Sequence, residues 1–142
     1  MCVSKNISQQ SPLFRSDLPL PLLHRGKVRE MYEAGPDLLL MVASDRVSAF
    51  DVVLPQPIPR KGEVLTLLTA WWLDHLSGVV EHHLVSADPK VIAEQVPALS
   101  NAPDGWVRRS LLVRRTQPLP IECVVRGYVT GAAWREYVAR GT

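Results

Sequence analysis

Gly26-Lys27-Val28-Arg29-Glu30-Met31-Tyr32-Glu33-Ala34-Gly35-Pro36-Asp37-Leu38-Leu39-Leu40-Met41-Val42-Ala43 decides the architecture. Its β-prone ends, Gly26 to Tyr32 and Leu38 to Ala43, flank Gly35-Pro36-Asp37, residues that favour a tight reversal, so the segment reads as an antiparallel hairpin. Alternation places Val28, Glu30 and Tyr32 on one face of the first strand and Lys27, Arg29 and Met31 on the other. The second run is apolar on both faces and is expected inside the sheet. The fold class that follows is α+β on an antiparallel sheet.

Directly after that inner strand, Ser44-Asp45-Arg46-Val47-Ser48-Ala49-Phe50-Asp51 carries polar groups into a loop, the kind of scaffold-held segment that bears function. Asp45, Ser48 and Asp51 could bind a cation, orient an amine or accept from a ribose hydroxyl; turn capping is the competing role. Val52 to Leu54 reads as a short strand, and Pro55, Pro57 and Pro59 keep the chain extended up to a basic turn, Arg60-Lys61-Gly62. From Glu63 to Leu76 the apolar residues Val64, Leu65, Leu68, Trp71 and Trp72 recur at helical spacing, which predicts an amphipathic helix with its Trp residues used in packing.

Further along, Val79 to Val85 is strand-like, Asp88 to Gln95 is a short helix with Pro89 at its first position, and Trp106 to Thr116 is a strand. Gln117-Pro118-Leu119-Pro120 breaks the pattern before Ile121 to Val125 resumes it, and Trp134 to Arg140 begins a helix. Upstream, Met1 to Ser11 is polar and expected to be loose, while Pro12, Pro19 and Pro21 make Leu13 to Leu23 an irregular lead-in. The divisions expected are a lead-in over 1–22, a lobe over 23–118 and the beginning of a second α+β domain over 119–142, cut short.

With 142 residues, 46% hydrophobic, the chain can bury a core of about one domain. The net charge of +2 comes from scattered basic residues, which argues against a nucleic-acid footprint. Cys2 and Cys123 make no disulfide framework, no apolar run is long enough for a membrane span, and a reducing cytoplasm fits best.

Among candidate site residues, Lys27 and Arg29 lie where an ammonium or guanidinium can reach a phosphate, against the alternative that they protect an edge strand. Arg126, with the turn Thr130-Gly131, could hold a phosphate between a guanidinium and free amides, against a structural salt bridge. Arg114-Arg115 belongs to the same class of basic candidates. His82-His83 points to opposite faces of a strand and is no metal pair; Cys123, in an apolar run, reads as a packed thiol. Walker, Gly-x-Gly-x-x-Gly and nucleophile-elbow motifs are absent.

Gly26 to Tyr32, Ser44 to Asp51, Arg60-Lys61-Gly62 and Leu119 to Gly131 together resemble SAICAR synthetase, the phosphoribosylaminoimidazole-succinocarboxamide synthase family. The resemblance implies an ATP-binding lobe reminiscent of ATP-grasp and kinase clefts. It implies a ligase of purine biosynthesis joining carboxyaminoimidazole ribonucleotide to L-aspartate through an acyl phosphate, with ATP and Mg2+. By the same resemblance Lys27 and Arg29 contact ATP phosphates, Arg114 and Arg115 border the adenine pocket, and Arg126, Thr130 and Gly131 hold the nucleotide substrate's phosphate. Asp45, Ser48, Asp51 and Lys61 then border the substrate cleft. Family members usually carry Ser where this chain has Ala132, which implies weaker substrate binding. The family is longer, and its metal-binding acidic residues are implied in the later part, so this chain is expected not to turn over alone. The rival reading is a non-catalytic nucleotide-binding or regulatory module.

Overall fold

The computed structural model describes residues 11–121, 123, 125 and 127–141. A five-stranded antiparallel sheet is formed by β1 (Leu22–Arg25), β2 (Arg29–Gly35), β3 (Leu38–Ala43), β7 (Ser110–Arg114) and β6 (Leu84–Ser86), in that spatial order. The hairpin read from the sequence is there as β2 and β3, with Met31 opposite Met41 and Tyr32 opposite Leu40. The apolar run Leu38–Ala43 is the central strand, flanked by β2 and β7, as its two apolar faces require.

The strand holding Arg29 starts later than expected. Lys27 and Val28 fall in a turn, because Leu22–Arg25, whose first two residues were read as the end of the lead-in, forms the edge strand β1 and pairs back on β2. That pairing removes the edge-protection role from Lys27 and Arg29, since β2 has a neighbour on both sides. The irregular segment before β1 is firmly packed, with Leu18 in the core and the Leu13 carbonyl accepting from the Asp45 amide at 2.8 Å.

One face of the sheet carries the core. Tyr32, Leu40, Val42 and Leu112 meet Leu18, Ile92, Val96, Leu99 and Trp106, the last five supplied by the lead-in, by α2 (Pro89–Gln95) with the residue after it, and by the 3-10 turns that follow. Asp88 caps α2 by accepting from the Lys90 amide, with Pro89 at the first helical position.

Buried within that face is a charge the sequence did not reveal. The Glu30 carboxylate, 1% exposed, accepts from the Ser16 amide and hydroxyl, from Tyr32 Oη at 3.2 Å and from Arg25 Nε at 2.9 Å. Burial alone would raise its pKa, but the Ser16 hydrogen bonds and the Arg25 charge outweigh burial and hold it below the usual range. A carboxylate depressed in the folded state stabilises the fold above its unfolded pKa, about 4.3, and loses that contribution as pH falls through the lower folded value. Chemical denaturation at a series of pH values is therefore expected to show Glu30→Gln well below the parent at pH 7, with the gap closing below about pH 4. A gap independent of pH would refute the assignment.

The helix predicted from Glu63 is α1 (Lys61–His75), which begins two residues earlier, and most of its apolar stripe stays exposed. The residues buried on α1 are Gly62, Glu63 and Thr66, whereas Val64, Leu68, Trp71 and Trp72 are about half exposed. Close approach to β3 leaves no room for a Cβ at Gly62; on the exposed side the Trp residues pack edge-on against each other and Trp71 stacks on His75 at 5.0 Å. The two-stranded β4 (Ser48–Ala49) and β5 (Val52–Val53) form a separate hairpin between β3 and α1.

The remaining expectations shift by a few residues or fall. Val79 and Val80 hydrogen-bond back to the end of α1, leaving only Leu84–Ser86 as β6. Trp106 belongs to a 3-10 turn and the core, so β7 is confined to Ser110–Arg114. Ile121, Cys123 and Val125 carry no strand, and Cys123 is exposed rather than packed. The final helix is α3 (Gly131–Arg140), none of whose residues is buried. Among the described residues no helix is long and apolar enough to cross a membrane.

Candidate functional site

The sheet face opposite the core is open towards α1. A pocket of about 200 Å³ lies between them, with Val28, Met41, Ala43, Leu65 and Leu111 as apolar walls and Arg29, Lys61 and His83 among its polar groups. A wider groove of about 610 Å³ continues under the β1–β2 turn, bordered by His24, Gly26, Lys27 and Met31 and sharing Val28, Arg29 and Met41 with the first. Sites for ligands of nucleotide size occupy roughly 300–1,000 Å³, so the groove can hold such a ligand and the inner pocket only a part of one.

Arg29 reaches this cleft because strand alternation puts it beside Met31 and opposite Ala43 on the open face. Lys61 reaches it as the first residue of α1. Among the described residues neither side chain has a carboxylate within ion-pair distance. Burial pushes the Lys61 ammonium below its usual pKa, Arg29 adds to the push, and Asp45 opposes it. Two cations lining one apolar-walled slot, neither in an ion pair among the described residues, favour a polyanion.

The start of α1 is fixed by Asp45. Its carboxylate is 1% exposed and accepts from Arg109 Nη1 at 2.8 Å, the Gly62 amide at 2.9 Å and the Leu13 amide at 2.8 Å. Burial would raise its pKa; the Arg109 hydrogen bond and the two amides outweigh that and hold it low. Asp45 is thus placed beneath the cleft rather than in it, a correction to its reading as a cleft-bordering residue. With both oxygens taken, it is a positioning residue for α1.

Neighbouring ion pairs secure the same corner. Glu63, in the first turn of α1, pairs with Arg60 and Arg108, an arrangement that also suits the helix dipole. Arg46 donates to Ser44 Oγ and to the Gly26 carbonyl, tying the loop to the β1–β2 turn. Gly62 sits so close to β3 that a Cβ there would stand 2.3 Å from the Ala43 carbonyl oxygen.

Lys27 and Asp51, expected on different ligands, are joined to each other in an exposed ion pair, and the Lys27 contact holds the Asp51 carboxylate below its usual pKa. Asp51 stands in the β4–β5 turn, and Ser48, the first residue of β4, is half-buried beside it. Arg114 and Arg115 sit at the other end of the sheet: Arg29 pairs with one end of β3 and Arg114 with the other, roughly 17 Å away at about 3.4 Å per residue. Arg114 shares the face of Leu112 and donates to the His82 carbonyl, which takes it off the cleft face; Arg115 lies next to Glu33.

Thr130 and Gly131 form the start of α3, Gly131 with φ 64°, and line neither cavity. Arg126 lies outside the described residues. His83, missed as a cleft residue, is in the inner pocket wall, and the pairings of Arg108 and Arg109 were also missed. Adjacent His residues pointing opposite ways was the signal available for His83. No local pattern announces a partner for Arg109 that is 64 residues away. Among the described residues no three His, Cys, Asp or Glu side chains gather to hold a metal ion.

The family model described as SAICAR synthetase matches residues 22–141. The phosphoribosylaminoimidazole-succinocarboxamide synthase of Thermodesulfovibrio yellowstonii is 51% identical over 120 residues, 84% of this chain and 40% of that protein. The enzyme of the same name from Aromatoleum aromaticum is 50% identical over 131 residues, 92% of this chain and 40% of its own. A solved SAICAR synthase from Saccharomyces cerevisiae, complexed with SAICAR, superposes with a TM-score of 0.83 at 44% identity, covering 92% of this chain and 46% of that one. A second solved SAICAR synthase gives a TM-score of 0.85 at 46% identity over the same shares, 92% and 46%. The chain spans about two fifths of the length of these curated relatives. With a family model matched over residues 22–141, relatives about half identical in sequence and solved structures of the same fold, the chain belongs to the SAICAR synthetase family.

Proposed function

We propose that this chain supplies the ATP-binding lobe of an ATP-dependent ligase of purine biosynthesis. The reaction is the joining of carboxyaminoimidazole ribonucleotide to L-aspartate, giving SAICAR, ADP and phosphate. In it the substrate carboxylate displaces ADP from the γ-phosphoryl group, forming an acyl phosphate, and the aspartate amine then displaces phosphate from the acyl carbon. Such chemistry depends on positioning and charge neutralisation, which is what this lobe's residues offer.

The observation that carries the proposal is the pair Arg29 and Lys61, neither in an ion pair among the described residues, at the inner end of a groove large enough for a nucleotide. Lys27 at the groove's outer border adds a third cation for phosphate oxygens. The apolar surfaces of Val28, Met31 and Met41 suit a nucleoside; Arg115, which lines neither cavity, is assigned to its base end by the family resemblance. Lobe 23–118 would hold ATP while 119–142 opens the second domain, where Arg126, Thr130 and Gly131 are assigned to the substrate phosphate. Magnesium ligands are assigned to parts of the enzyme beyond these residues, and no step here relies on them.

Isothermal titration calorimetry of the 142-residue chain with ATP tests the reading. Arg29→Ala and Lys61→Ala are each expected to weaken binding about ten-fold or more, the worth of one charge-assisted hydrogen bond. Unchanged affinity in both variants would remove the basis for the assignment.

A further inference from the structure

The β4–β5 hairpin is built in an unfavourable way. Phe50 and Asp51 both take positive φ, 49° and 65°, the pattern of a tight two-residue turn normally filled by Asn-Gly. Neither is glycine, so the turn carries strain that its surroundings must hold. Phe50 is 100% exposed and covers nothing, so apolar burial does not hold it. The side-chain contact recorded for the turn is the ion pair from Asp51 to Lys27, across 24 residues, which joins this hairpin to the β1–β2 turn that roofs the groove.

We propose that Asp51 is a built-in competitor for the nucleotide's phosphates: its carboxylate occupies the Lys27 ammonium in the empty cleft, and a bound polyphosphate displaces it and releases the β4–β5 hairpin. The inference rests on the nucleotide reading above. A carboxylate and a phosphate oxygen present the same acceptor to an ammonium, so Lys27 cannot serve both fully at once. Both partners are exposed, 53% for Lys27 and 91% for Asp51, so the pair is weak enough to exchange and its loss leaves no buried charge. Once Lys27 turns to a phosphate, the strained turn loses its tether. The Asp51 carboxylate is then free at the cleft edge, available to a cationic group such as a substrate amine. Nucleotide occupancy and hairpin position are thereby linked, and linkage is reciprocal: whatever holds Asp51 away from Lys27 strengthens nucleotide binding.

Calorimetric titration with ATP of the parent chain, Asp51→Asn, Lys27→Gln and the double variant tests the competition. Asn keeps the size and the turn preference of Asp while removing the charge, and the pair lies on the surface, so folding is expected to be intact. Asp51→Asn should bind ATP two- to about five-fold more tightly than the parent, and this gain should vanish in the Lys27→Gln background. Hydrogen exchange supplies a second readout: ATP should speed exchange at the Leu54 amide, which closes the hairpin base on the Val47 carbonyl, in the parent and not in Lys27→Gln. Measurable ATP binding that is equal or weaker in Asp51→Asn overturns the competition and leaves the nucleotide reading standing. Absence of ATP binding in every protein overturns both.

Discussion

Gly62→Ala is expected to destabilise the chain by about 4 kcal/mol or more, the range reserved for lesions that a fold cannot absorb. The added Cβ would meet the Ala43 carbonyl oxygen at 2.3 Å, the Ala43 carbonyl carbon at 2.9 Å and Arg109 Nη1 at 3.0 Å. Two of those atoms are backbone of the central strand, and the third is locked in the ion pair with Asp45. No rotamer change relieves the contact, so either β3 or the first turn of α1 must move. Movement of α1 would break the Gly62 amide bond to Asp45 and carry Lys61 out of the cleft. Urea denaturation checks the prediction. A variant within about 1 kcal/mol of the parent would show that the helix approaches the strand less closely than described.

Asp45→Ala carries the second large effect, a loss of about 3–5 kcal/mol, because removing one partner of a buried ion pair strands the other charge. Arg109 is 7% exposed at its side chain and would keep only a long contact to the Ala43 carbonyl, at 3.4 Å. The Leu13 and Gly62 amides would lose their acceptor as well. Asp45→Asn separates these contributions, since it retains an acceptor oxygen but no charge, and should fall between the parent and Asp45→Ala. Urea denaturation of all three proteins at pH 7 gives the comparison. Equal stability of Asp45→Ala and the parent would be incompatible with a buried pair.

The hairpin β2–β3, the placing of Leu38–Ala43 at the sheet centre and the start of α2 were legible because each depends on nearby residues: alternation, a Gly-Pro-Asp reversal, an Asp-Pro cap. Lys27, Arg29 and Lys61 were singled out for a different reason, the family motifs in which they stand; the cavity walls include all three, and their roles there are proposals. Inversion of α1 was not legible. A hydrophobic stripe at helical spacing normally marks the buried side, but here contact with Ala43 demands glycine at Gly62, with Glu63 and Thr66 buried on the same helix, and periodicity carries no record of that demand. The same holds for Glu30 and Asp45. Each looks like a surface or site carboxylate until Ser16, Arg25 and Arg109 are brought to it from elsewhere in the chain.

That Arg109 arrives from 64 positions downstream of Asp45 has a consequence in time as well as in space. A ribosome releases the chain from its amino end, so β2 and β3 can meet early, while Ser110–Arg114 must emerge before the sheet gains its fourth and fifth strands. Until then the central strand keeps one edge unsatisfied, Asp45 has no guanidinium, and α1 has no firm seat. Closing so long a loop delays the non-local pairings that complete the lobe. The cleft is therefore a late product of synthesis: most of its lining is made early, and Arg109, the lock that aligns it, and the wall residue Leu111 follow.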